Sequence, residues 1–182
     1  MRDLDMEKKM QVRWMWISML PALAACHQFP PGVCRTGVDV PVEVRLAFND
    51  TSNVPMALRE GVPVSGLLVS PGTMRVDAVQ VQIGNNGGMS SGMLALRLCQ
   101  AGRCVQGKAD VASVKGNDYL TIDVKPSLPI SYTAGPIRYD LTRLPGNGEL
   151  RLWTYPSVSA VAGIEDQGHI GPQTLNLVFR QQ

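Results

Sequence analysis

Three observations predict an all-β fold, an antiparallel β-sandwich of jelly-roll type. Apolar residues recur with period two along seven stretches, clusters of Gly, Pro, Asn and Asp separate those stretches, and no apolar pattern of period 3.6 lasts ten residues beyond residue 25. The chain has 182 residues, enough for one domain that buries about two-thirds of its unfolded surface. Apolar residues at 45% against charged residues at 18% describe a globular chain rather than a disordered one.

The N-terminus comes first. Residues 1–13 are polar and carry Lys8, Lys9 and Arg13, and residues 14–25, WMWISMLPALAA, form an apolar run. Twelve helical residues span about 18 Å, short of a hydrocarbon core of about 30 Å. A basic region, a short apolar region and small residues, in that order, make residues 1–25 an expected secretory signal peptide. Leu23-Ala24-Ala25-Cys26 then resembles the lipobox of bacterial lipoproteins. That resemblance implies an acylated Cys26 as the first mature residue. His27, not Asp, at the next position implies delivery to the outer membrane, facing the periplasm or the outside. Acyl chains, at about 0.8 kcal/mol per buried methylene, anchor a protein without a spanning helix. Ala22-Leu23-Ala24 also fits the small-x-small site of an ordinary secretory peptidase. Cleavage there would leave Cys26, Cys34, Cys99 and Cys104 as two local pairs, whereas acylation strands Cys34. Residues 26–37, with Pro30-Pro31, are the expected tether, and residues 38–182 the β-sandwich domain.

In residues 38–48, VDVPVEVRLAF, Val38, Val40, Val42, Val44, Leu46 and Phe48 share one parity and Asp39, Pro41, Glu43 and Arg45 the other. Pro41 cannot donate to a ladder, which puts this strand at a sheet edge or a bulge. The same alternation places Val79, Val81 and Ile83, then Leu94, Leu96 and Leu98, then Leu120, Ile122 and Val124 on inward faces. Ile137, Tyr139 and Leu141 follow, then Leu150 and Leu152, then Leu175, Leu177 and Phe179. Cys99-Gln-Ala-Gly-Arg-Cys104 reads as a hairpin with a four-residue loop, in which Gly102 takes positive φ and the two cysteines form a disulfide.

Catalytic chemistry is not expected. Gly88-Met89-Ser90-Ser91-Gly92 matches the G-x-S-x-G elbow, but a strand follows it where the elbow needs a helix. Its base would have to be His169, in another loop, so Ser90 reads as part of a turn and as dispensable. No C-x-x-C occurs, and two histidines with scattered cysteines do not make a zinc site, so no metal or cofactor is expected. Glu165-Asp166 reads as a solvated turn rather than a calcium pair. The net charge is +2 with no basic run beyond Lys8-Lys9, which excludes the concentrated patch that nucleic acid requires.

Residues 73–153, with the echoes GMLALRLCQAGRC, GNDYLTIDV, IRYDL and, running on to residue 156, LRLWTYP, resemble the galactose-binding-like jelly-roll modules attached to bacterial surface-polysaccharide enzymes. The resemblance implies a binding module for surface or envelope glycans. Stacking on sugars needs an exposed aromatic, and Trp153, Tyr155 and Tyr119 are the candidates. Trp153 has the parity opposite Leu150 and Leu152, which points it away from the leucine face together with Tyr155; the other reading turns Trp153 into the core. Residues 38–48 also resemble the donor strand of chaperone–usher pilins, which implies an assembly subunit joined by strand addition to an envelope protein partner.

Mass spectrometry of the mature N-terminus tests the anchor. Acylated Cys26 as the first residue is the expected result; an unmodified start at Ala25, or a Cys26–Cys34 bridge, would sink it.

Overall fold

The alternation read in the sequence folds into strands that turn their apolar parity to one core. The structure, a computed structural model, describes residues 42–45 and 52–181. The 1–25 and 26–37 segments, Cys26, Cys34 and Pro41 lie outside the described residues. Within the first predicted strand, β1 (Val42–Arg45) pairs among the described residues only with β13 (Leu177–Gln181), at one end of their strand order.

The first layer continues from β13 to β4 (Met74–Asn85) and then to β7 (Gly116–Ile130), all antiparallel. The end of β4 also pairs β9 (Arg151–Pro156), which carries β2 (Val54–Ala57) and β12 (Gln173–Leu175). The second layer runs from β6 (Arg103–Asp110) through β5 (Met93–Gln100), β8 (Ile137–Arg143) and β3 (Val64–Leu68) to β10 (Gly163–Asp166) and β11 (His169–Ile170). Strands β6 and β7 meet at the single pair Gln106↔Lys125, so the layers are two parts of one curled half-barrel sheet, an all-β, sandwich-like fold. The spatial order β4-β7-β6-β5 is a Greek key: three consecutive strands, with the strand before them returning to lie beside the last.

Both layers feed one hydrophobic core. Val79, Val81, Ile83, Leu120, Ile122, Leu177 and Phe179 enter it from the first layer, and Leu94, Leu96, Leu98, Ile137, Tyr139 and Leu141 from the second. Burial raises the pKa of the Tyr139 phenol far above its ordinary value, so it stays neutral. Strand β7 runs longer than the alternation predicted. Between Val76↔Leu128 and Ala78↔Asp123 its register against β4 shifts, and residues 124–127, with Pro126, form a bulge without β4 partners before that pairing resumes.

Two glycines set how closely strands approach. A Cβ at Gly107 would lie 2.0 Å from Asp123 O and 2.9 Å from Ile122 Cγ2, so only glycine lets β6 cross so near β7. A Cβ at Gly66 would lie 2.4 Å from Gly163 O and 2.4 Å from the Tyr139 hydroxyl. In the β5–β6 hairpin, Cys99 faces Cys104 and they are disulfide-bonded with a Cα–Cα distance of 4.1 Å. The loop is shorter than the four residues expected, because Gln100↔Arg103 also pair and leave only Ala101 and Gly102 to turn. Both have positive φ, 48° and 77°, the geometry of a type I′ turn whose twist matches the strands.

These two sites respond in opposite directions to a change of one methyl group. Ala101→Gly removes the cost of a left-handed alanine and is expected to stabilise by up to about 1 kcal/mol. Gly107→Ala forces a backbone collision and is expected to destabilise by about 3 kcal/mol. Denaturant unfolding of both variants measures the pair, and equal midpoints would contradict the register of β6 on β7.

Candidate functional site

The G-x-S-x-G segment is a structural joint. Ser90 is 1% exposed and its Oγ donates to Glu149 O, so the expected free turn is buried. Its amide donates to Asn85 Oδ1 at 2.8 Å. Asn85, itself buried at the end of β4, donates through Nδ2 to Val111 O at 2.8 Å and Val114 O at 3.0 Å. Ser91 N reaches Asn147 O at 3.0 Å and Asn147 N reaches Ser91 Oγ at 3.2 Å, tying this loop to the one before β9. Buried Arg143 closes the joint, donating from Nη2 to Asn147 O and Gly148 O at 2.8 Å each. His169 is exposed on β11. This burial runs against the expected dispensability of Ser90 for folding, because a buried hydroxyl that satisfies a carbonyl is costly to remove.

The three predicted aromatics have structural surroundings. Trp153 is not part of the core cluster and lies half-buried with its indole edge against Gly84, where a Cβ would be 3.4 Å from Nε1. Tyr155 does not extend a Trp153 platform. It is 5% exposed, β12 pairs opposite it at Thr174, and its hydroxyl donates to Gln82 Oε1. Half-buried Tyr119 stands opposite Gln82 on β7, and its hydroxyl accepts from Asn176 Nδ2. The phenols of Tyr119 and Tyr155 are therefore spent on internal hydrogen bonds. Glu165 is likewise no solvated turn residue, since its carboxylate pairs with Arg138 Nη2 at 2.9 Å. No three His, Cys, Asp or Glu gather in a metal-binding arrangement among the described residues.

The exposed aromatic of the described residues is Tyr132, 70% accessible, in a 3₁₀ turn just after β7. That turn is held by a buried amide. Gln100, 3% exposed at the end of β5, donates from Nε2 to Ser131 O at 2.8 Å and Gly135 O at 2.6 Å, and its Oε1 accepts from Ser131 N at 2.9 Å. Beside Tyr132 opens a cleft of about 580 Å³ whose apolar wall is Leu67, Val69, Pro136, Val161 and Ile170. Ala160 and Val161 of the lining lie in a loop held by Ser157, whose Oγ donates to Ala162 O at 2.6 Å and Ser159 O at 2.9 Å. Val69 and Val161 remain 47% and 62% exposed, an apolar surface left open to solvent.

A second depression, of about 500 Å³, lies on the outward face of β6, β5 and β8. Register builds it in rows: Gln106, Arg97, Asp140 and Ser65 form one, and Lys108, Ala95 and Thr142 the next. Ala95 leaves the floor of the second row low. Asp140 accepts from Ser65 Oγ at 2.6 Å and sits 3.9 Å from both Arg97 and Arg138. Arg138 pairs in register with Leu67, so the polar hollow and the Tyr132 cleft occupy the same outer face.

Ser90→Ala is expected to lower stability by about 1–3 kcal/mol, because Glu149 O loses its donor inside the protein. Thermal unfolding checks this, and an unchanged midpoint would return Ser90 to the status of an ordinary turn residue.

Comparisons with protein-family models, curated proteins and solved structures found no match to this chain.

Proposed function

We propose that the chain is a non-catalytic binding module of the bacterial envelope, anchored through acylated Cys26 at the outer membrane, that takes surface or envelope glycans over Tyr132. The observation that carries the reading is an open phenol on a turn fixed by three hydrogen bonds with buried Gln100, two donated and one accepted by it, beside an apolar cleft. A sugar ring presents a C–H face to such a platform and keeps its hydroxyls toward water and polar neighbours. The turn is ordered before the ligand arrives, so binding loses little conformational entropy there.

Assembly by strand addition finds less support. Val42–Arg45 already pairs over four positions with the chain's own β13, whereas a donor strand serves another subunit.

Tyr132→Ala discriminates. Exposed as the side chain is, its loss should change stability by no more than about 0.5 kcal/mol. Affinity for purified envelope polysaccharide, followed by calorimetry, should fall at least about tenfold, the equivalent of about 1.4 kcal/mol. Undiminished binding by the variant would remove the platform from the reading.

A further inference from the structure

We infer that the glycan is acidic, with its negative charge held over Ala95 between Arg97 and Lys108. This rests on the glycan-binding reading and specifies the ligand class of the same face. Lys108 is opposite Ala95 and Arg97 opposite Gln106, so the two cations are diagonal neighbours across β5 and β6. Such diagonal positions lie about 7–8 Å apart. Lys125 joins them from β7, across the Gln106↔Lys125 pair.

The charges around the hollow are unevenly satisfied. Asp140 is already engaged by Ser65, Arg97 and Arg138, and Glu165 by Arg138. Asp110, two residues beyond Lys108 on the same face, is turned to Ala112 N at 2.9 Å. Lys108 and Lys125 have no ion pair among the described residues, and Arg97 has one, the 3.9 Å contact with Asp140, besides its Nη2 contact with Cys104 Sγ at 3.6 Å. Neither Gln106 nor Thr142 uses its side chain in a hydrogen bond among the described residues, so both can address hydroxyls. An oxyanion at the low point over Ala95 relieves the repulsion between like charges and gains charge-assisted hydrogen bonds from both cations. A bare inorganic anion would leave Gln106, Thr142 and the neighbouring Tyr132 cleft without a role. A saccharide carrying a uronate carboxylate, or a phosphate or sulfate substituent, addresses all of them.

The test is a glycan array holding neutral, uronate-bearing, phosphorylated and sulfated members, probed with the mature protein, with Arg97→Gln/Lys108→Gln and with Tyr132→Ala. Binding by the parent protein should concentrate on acidic members, fall about tenfold or more in the double variant and weaken as salt rises from 50 to about 200 mM. The uronate members against the phosphorylated and sulfated ones show which oxyanion is read. Arg97 and Lys108 are both exposed, and a melting curve of the double variant checks its fold. Should that variant not fold, the salt dependence of the parent protein decides alone. Equal binding of neutral and acidic members, with loss only in Tyr132→Ala, overturns the acidic inference and leaves the glycan reading standing. Binding to no member overturns both.

Discussion

Two buried carboxamides hold this sandwich together at the places where its strands stop. When a strand leaves the sheet, the next backbone groups lose their ladder partners, and any that stay inside must find others. Asn85 at the end of β4 and Gln100 at the end of β5 each carry both a donor and an acceptor; Asn85 bonds four backbone groups and Gln100 three. A carboxylate or an ammonium could not do this, because each offers only one kind of partner. The consequences extend to both loops. Asn85 fixes the Ser90 segment against the turn at Val111–Ser113, and Gln100 fixes the turn that presents Tyr132. Losing either amide would leave several buried polar groups unpaired at once, so the cost would exceed that of one hydrogen bond.

Much of the sheet was legible because alternation is strong wherever a strand faces the common core. The buried Val79, Val81 and Ile83 and the buried Leu94, Leu96 and Leu98 are the residues that periodicity selected. Strands β3 and β6 escaped that reading for a shared reason. Each has a glycine at a central inward position, Gly66 and Gly107, because a neighbour comes too close for a side chain. The contact that makes these strands important to packing is the one that erases their apolar period. The end of β7 was missed because Pro126, at an inward parity but exposed, breaks the apolar run between buried Val124 and Leu128 where β7 loses its register with β4.

The candidate site was far less legible. Attention to strand-borne aromatics selected Trp153, Tyr155 and Tyr119, but a tyrosine on an outward strand face can still be covered and can spend its hydroxyl on a neighbouring amide, as Tyr155 does with Gln82. Tyr132 sits in SYTAGP, a turn with a capping serine and a glycine of positive φ. An aromatic inside such a turn, with no apolar alternation to recruit it inward, was the available signal. The polar hollow was legible only in fragments. Arg97 and Lys108 are visibly outward on their strands, but Arg97 meets Asp140, and Ala95 meets Thr142, through the β5–β8 pairing of distant segments. Sequence patterns do not encode that register.

The disulfide gains its meaning from these connections. A loop this short adds only about 2 kcal/mol through chain entropy, too little to explain the fold. Its position matters more. Cys99 immediately precedes Gln100, and Cys104 closes the hairpin whose tip is a two-residue turn. Linking the strands at that point keeps the end of β5 paired, and a paired β5 holds the Gln100 backbone while its side chain clamps the Tyr132 turn. Arg97, two residues before Cys99 on the same face, donates from Nη2 toward Cys104 Sγ at 3.6 Å. The crosslink thus adjoins Arg97, which lines the polar hollow, and Gln100, which clamps the turn beside the cleft, so its restraint on the hairpin tip reaches a residue of each. On the proposed binding reading this stiffening matters, since a shallow, open cleft gains little from burial and cannot also meet the cost of ordering its own walls.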